Sequence, residues 1–314
     1  FMLTRVLSQR RLLLMTLGLT YISIGMLGTL PSASLVRLAS NTHVSLEGAG
    51  GMFTILAIGG MLGVVLSTFL IRAIKPKYLL MSGLFFVGSG SMTIALTSSF
   101  PMLLLGQIVI GLAFGFVDIS LNTIATLAFQ ETLSSDLNTI HGLFGLGALF
   151  GPLALAAGLL FFNSLPLAYF AGTGIAGITI LLILLQQLPE LPSEETNVEQ
   201  KRAASRELHN VLRQGLLWLM VLQMSMYSAA EMGFRNWIVT AVSQSATVSL
   251  ALAAPVATAF FLGMTAGRFL GAQLLRRGWI SEMHLLYTAL LGGTFWSIIV
   301  AIFPGQLLIS YAAS

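Results

Sequence analysis

The sequence predicts an all-α polytopic membrane protein, and three observations predict it. Of 314 residues, 56% are hydrophobic and only 8% charged, against about 25% charged in soluble domains. The apolar residues gather into long runs, and about 20 such residues carry a helix across a bilayer. The charges sit in short clusters between those runs. Lipid offers no partners for free backbone groups, so continuous apolar runs span as helices. The net charge of +4 does not point to nucleic acid, because the basic residues flank membrane runs rather than forming a patch on a soluble domain. Cysteine is absent, which excludes disulfides and thiolate metal sites.

Taken in order, the runs give nine spans: 12–36, 50–73, 78–98, 102–128, 138–161, 166–187, 216–241, 250–275 and 283–303. Arg5, Arg10 and Arg11 precede the first run. That run is too long for the apolar core of a secretory signal, and more membrane follows it, so it reads as a span. Beyond Phe303-Pro304, residues 307–314 read as the opening turn of a tenth.

Basic residues set the orientation. Arg5, Arg10, Arg11, Arg72, Lys75, Lys77, Lys201, Arg202, Arg206, Arg213, Arg276 and Arg277 fall on one side, 12 of the 15 in the chain. That side is expected to be cytoplasmic. Arg37 lies opposite, and Arg235 and Arg268 fall inside spans.

The one long polar connection, 188–215, divides the chain into a six-span bundle (1–187), a cytoplasmic linker and a second bundle (216–314). A weak repeat crosses it. Tyr21-x3-Gly25-Met26 matches Tyr227-x3-Glu231-Met232, and Gly59-x3-Gly63 before Arg72 matches Gly263-x3-Gly267 before Arg276. The matches come in order at nearly constant offset and argue for a duplicated six-span unit, of which the second half shows three spans and a stub. Such repeats build many transporters, with the solute site near the midplane between repeats.

Asp118 lies near the middle of the fourth span. A charge there costs roughly 2.5–3.5 kcal/mol on insertion scales, so an acid in that place marks a functional site by default. Gln107, Gly111, Gly115, Asp118 and Asn122 recur at steps of 4, 4, 3 and 4, which is one helix face. The functional reading is a solute or proton pathway lined by Gln107 and Asn122. The structural reading is a buried polar contact with small residues as packing.

The seventh span carries Tyr227, Glu231 and Arg235 at steps of four. Either Glu231 and Arg235 neutralise each other along the helix, or Arg235 reaches the surface and leaves Glu231 free to take a proton or contact solute. Tyr21 and Tyr227 are candidate hydrogen-bond donors to solute. Trp237 is a candidate interface anchor. The fifth span opens with Asn138 and His141 and ends in Gly151-Pro152, a density of small residues expected at a gating hinge. His141 is either a titrating group or a plain hydrogen-bonded histidine. Gly59, Gly63, Arg72, Gly267 and Arg268 are assigned to close helix approach and the cytoplasmic gate. His43, His209 and His284 are placed in loops. No Ser-His-Asp order, metal-ligand cluster or phosphate-cradling loop occurs at usable spacing, so no enzyme is expected.

Two six-span halves, a cytoplasmic linker, and Gly-x3-Gly stretches leading to basic residues resemble the major facilitator superfamily. The signature after the second span is reduced to its glycines and to Arg72, Lys75 and Lys77, with no acid following the glycines. Within the superfamily, Asp118-x3-Asn122, then Leu137-Asn138-x2-His141-x2-Phe144-Gly145 and Gly151-Pro152, resemble the fucose–galactose–glucose:proton symporter group. That resemblance implies that Asp118 takes the proton and Asn122 lines the cavity. A further acid expected on the first span is missing, and Glu231 is the residue that could replace it. Gly147-x3-Gly151-Pro152 also resembles an antiporter signature.

The expectation is a proton-coupled secondary transporter of a small polar solute, a sugar, working by alternating access. Asp118 and Glu231 would couple the proton, and Gln107, Asn122, Tyr21, Tyr227 and Arg235 would contact solute. The first alternative is a proton-driven exporter of amphipathic drugs or lipids, with Phe114, Phe116 and Phe144 lining an apolar cavity. The second is a non-transporting assembly subunit. No cofactor is expected; the coupling ion is a proton, with sodium the alternative. The expected partners are a small-molecule solute and the lipid bilayer, with no nucleic acid. The protein is expected as a monomer in a bacterial inner membrane.

Overall fold

The computed structural model describes residues 2–130, 132–189, 191 and 210–302. Most of the expected linker, and the stub after residue 302, lie outside these residues. Among them all regular structure is helical: α1 Met2–Ala33, α2 Leu35–Asn41, α3 Leu46–Ala73, α4 Pro76–Leu96, α5 Phe100–Ala128, α6 Leu133–Phe162, α7 Pro166–Leu185, α8 Gly215–Ser245, α9 Leu250–Ala253, α10 Pro255–Arg276 and α11 Glu282–Ile302.

Every expected span is found as helix, and two are broken. The first stops at Ser34, whose hydroxyl bonds the Leu30 carbonyl at 2.6 Å and meets the Tyr169 hydroxyl at 2.9 Å. Pro31, three residues earlier, has already removed one helical N–H. The eighth is split before Pro255 into α9 and α10. By length and composition, seven spans among the described residues can cross a membrane. α8 is long enough, but Glu231, Arg235 and its Ser and Gln residues dilute its apolar character. His284, expected in a loop, lies in the first turn of α11.

Helix starts follow local chemistry. Pro76, Pro101 and Pro166 stand in the first turns of α4, α5 and α7, where no intrahelical N–H is lost. The Ser45 hydroxyl caps α3, accepting from the Gly48 N–H. α6 ends on Asn163 in the left-handed region at φ 47°.

The first bundle rests on three close helix pairs, α3 with α5, α1 with α6 and α4 with α5, the last through Gly90 and Gly106 on each other's carbonyls. In the first, a Cβ on Gly59 would stand 2.5 Å from the Ile108 carbonyl oxygen, and one on Gly63 2.5 Å from that of Leu112. Gly111 and Gly115 face back onto Leu56, Gly60, Gly63 and Val64 backbone. In the second, Gly25 lies on the Phe144 carbonyl, Gly147 on that of Ile22, and Gly151 on that of Met26. In lipid, where apolar contact alone gives no preference for helix over tail, such backbone approach supplies the packing. α4 packs on α5 and α7 and completes the bundle.

One end of the bundle is fastened by polar contacts. Arg10 pairs with Asp136 at 2.8 Å and bonds Thr132, which itself donates to Asp136. Lys77 caps the end of α7 at the Leu184 and Gln186 carbonyls, and Gln186 donates to Thr16. At the opposite, far end an apolar cluster joins both halves: Leu27, Leu30, Leu35, Leu38, Leu103 and Ile110 with Ile238, Val239, Val242, Ala253, Val256 and Ala257. The cluster at the fastened end holds residues of the first bundle and Leu188, the first residue of the expected linker.

Candidate functional site

Asp118 projects from α5 and is exposed. The Tyr21 hydroxyl of α1 donates to its Oδ1 at 2.9 Å. The Asn122 side-chain amide, one turn further along α5, donates to the same Oδ1 at 3.1 Å and to the Asp118 carbonyl at 2.8 Å. Oδ1 therefore carries two protein donors, and among the described residues Oδ2 accepts none. The carboxylate has capacity for further donors, and Oδ2 is the oxygen left for them. His141 of α6 sets its ring edge-on to Tyr21 at 4.8 Å, and Phe144 does so at 6.2 Å.

This group borders a cavity of about 290 Å³ lined by Tyr21, Ile24, Gly60, Val64, Phe114, Gly115, Val117, Asp118 and Phe144. Its side-chain polar groups are those of Asp118 and Tyr21, and the rest is aliphatic, aromatic or glycine backbone. Two of the close helix pairs bring it together. Gly60 and Gly115 come from the α3–α5 contact, Tyr21 and Phe144 from the α1–α6 contact. The Tyr21–Asp118 bond joins the pairs.

Several expectations change here. Asn122 positions Asp118 instead of lining the cavity. Gln107 is wholly buried, and neither atom of its amide has a hydrogen-bond partner among the described residues; it does not line the cavity. Gly111 and Gly115 pack on α3, so the face shared by Gln107 through Asn122 is not continuously open. Tyr227 is 51% exposed. It stands on α8 with Glu231 and Arg235, and none of the three lines the cavity. Among the described residues Arg10–Asp136 is the one ion pair within 4.0 Å, so Glu231 and Arg235 do not form one. Gly267 has no atom within 4 Å of an added Cβ and does not mediate close packing as Gly59 and Gly63 do. Arg72 is exposed in the last turn of α3. The side chains of Asn138 on α6 and Arg268 on α10 lie outside the described residues. Trp237, expected as an interface anchor, packs over Gly50 and edge-on to Phe53 of α3, bridging the two halves.

Pro152 leaves one carbonyl of α6 without its helical donor. It has no N–H for the carbonyl of Ala148, and Thr29 of α1 reaches that oxygen at 3.4 Å. The next carbonyl, Leu149, accepts from Thr258 of α10 at 3.0 Å. Gly60, Val64, Ile24 and Val117 were missed as lining residues. The Gly59-Gly60 doublet was a usable signal for the first, because one glycine faces α5 and its neighbour is turned towards the cavity.

The described residues form a multi-pass helical bundle with one carboxylate at the edge of a small cavity. The chain belongs to the Major Facilitator Superfamily, whose description matches residues 13–314, and this is a family of transporters, not enzymes. The fold is similar to that of a D-xylose–proton symporter (TM-score 0.73, 14% identity, 97% of this chain and 79% of that one). It is also similar to the fucose:proton symporter FucP of E. coli (0.64, 17%, 97% and 81%). In sequence, the chain is 25% identical over 174 residues to the purine ribonucleoside efflux pump NepI of Salmonella paratyphi A, covering 54% of this chain and 43% of that protein. The match thus spans less than half the length of the curated relatives.

Proposed function

We propose that this chain belongs to a proton-coupled transporter of a small hydroxyl-bearing solute with an apolar or planar face, a sugar or sugar-bearing nucleoside. The arrangement at Asp118 carries the reading. Oδ1 is held by Tyr21 and Asn122 while Oδ2 is left to the cavity, so one oxygen fixes the side chain and the other takes a proton or a solute hydroxyl. A carboxylate accepts only, so the solute must bring donors. Phe114 and Phe144 offer ring surface to the flat face of a sugar or base. A cavity of about 290 Å³ sits at the lower bound of ligand sites, which favours a solute of that size over a larger one.

Coupling follows if proton and solute compete for Oδ2. The symporters similar in fold and the nucleoside pump similar in sequence support the solute class. The clustering of Arg10, Lys77 and the other basic residues at one end supports placing that end in the cytoplasm. Glu231 stays a candidate second acid, brought to the path only if α8 moves.

The mainly apolar lining also favours a second reading, export of amphipathic molecules. One experiment separates them. In proteoliposomes, Asp118→Asn is expected to abolish accumulation of D-xylose or adenosine against a gradient while retaining exchange of the same solute. Full accumulation by that variant overturns the coupling role. A thermal shift with amphipathic cations and with neither sugar nor nucleoside would establish the second reading, because ligand stabilises the state it binds.

A further inference from the structure

Four described residues, Ser91, Gln107, Thr173 and Thr240, have buried polar atoms without a partner, and Gln107 is the one amide among them. It is 0% exposed, and among the described residues both its Nε2 and its Oε1 lack a partner. Buried amides are nearly always hydrogen-bonded, and one that is not calls for a reason. Its position gives one. Counting along α5, Gln107 lies on the stripe that also carries Phe114 and Asp118, at steps of seven and four. That stripe faces α1: the Phe114 ring lies over Gly28, and Asp118 binds Tyr21. Leu103 and Ile110, one turn to either side of Gln107, belong to the apolar cluster that seals the two halves together at the far end. The second half buries a like group at the same end. Thr240 of α8 is 4% exposed, its hydroxyl has no partner among the described residues, and its neighbours Val239 and Val242 belong to the same cluster.

A permanent seal gains nothing from an unpaired amide, since an apolar side chain of the same size closes it better. We infer that Gln107 is a second solute contact, at the far end of the path that begins at Asp118. It is shut in the conformation described here and faces the path when the seal opens. Its amide offers both a donor and an acceptor, so it receives hydroxyl or ring-nitrogen groups of a neutral solute, where Asp118 receives only donors. The unpaired amide also weighs against the sealed conformation, which keeps the seal openable. The inference rests on the transport reading above for its solute and on burial and pairing alone for its accessibility.

These 314 residues hold no cysteine, so a single replacement is the one thiol among them, and the protein without the replacement gives the background rate. In the full-length protein in nanodiscs, Gln107→Cys is expected to react with a maleimide at least tenfold faster than Ile124→Cys, an equally buried control in the other cluster. Whichever of D-xylose and adenosine the protein transports is expected to slow that reaction at least threefold. Reaction at the control's rate, or reaction that the transported solute does not slow, overturns the inference. If Gln107→Cys fails to fold, Val242→Cys carries the test with Gln107→Leu added. The apolar replacement is then expected to slow labelling in the seal at least fivefold, and unchanged labelling overturns the inference. If neither solute is transported, the proposed solute class fails, and the labelling rate at Gln107→Cys still decides whether the residue reaches the path.

Discussion

Two of the close helix pairs in the first bundle are built alike and differ in their hydrogen bonding. α3 and α5 meet through Gly59, Gly63, Gly111 and Gly115 over unbroken helix; α1 and α6 meet through Gly25, Gly147 and Gly151. The second pair also carries Pro152, a Thr29 hydroxyl reaching a freed carbonyl, and the Thr258 contact from the other half. One pair keeps its helical hydrogen bonding unbroken and holds Asp118. The other has slack in its hydrogen bonding, holds Tyr21, and accepts the Thr258 hydrogen bond from the second half, whose Trp237 also reaches α3. A hydrogen bond between them therefore reports on how the halves sit.

The largest effects should come from closing the glycine contacts. Gly115→Leu and Gly147→Leu each drive a side chain into opposing backbone, which cannot rotate away, and should destabilise by about 3 kcal/mol or more. Gly174→Leu, with open space around it, should change little. Melting temperatures in detergent check this, and equal tolerance at all three positions would break the account of both pairs.

A smaller effect distinguishes the bond between the pairs. Tyr21→Phe removes the donor at 2.9 Å to an exposed carboxylate and should cost about 1 kcal/mol. It should lower driven transport roughly fivefold while leaving exchange intact, because Asn122 still holds Oδ1. Equal loss of both activities would make Tyr21 a solute contact instead of a positioning residue.

The smallest effect belongs to the grip on α6. Thr258→Val removes one neutral hydrogen bond, about 1 kcal/mol. It should raise maleimide labelling of Val242→Cys severalfold by loosening the seal. Labelling that stays unchanged would mean that the apolar cluster alone holds the halves together.

The second half teaches by contrast. Its Gly-x3-Gly stretch repeats the spacing of Gly59 and Gly63, yet Gly267 meets nothing within 4 Å. Spacing shows that a glycine could admit a neighbour; it cannot show that a neighbour arrives.

Length, apolarity and the placement of Lys and Arg determined by themselves that the chain crosses a membrane as helices, and roughly where each begins. Those properties are local, because about 20 apolar residues must span lipid whatever surrounds them. Asp118 was legible for the same reason, since an acid inside an apolar run is costly before any partner is known. Only the tertiary structure decided what Asp118 touches. The Tyr21 hydroxyl comes from 97 residues away, and its approach depends on which glycines let which helices close. It likewise decided that Asn122 turns back to Asp118, that Gln107 is shut away unpaired, and that Glu231 and Arg235 stand off the cavity. A helix face can be read from steps of three and four, but what covers that face is set by contacts between distant segments.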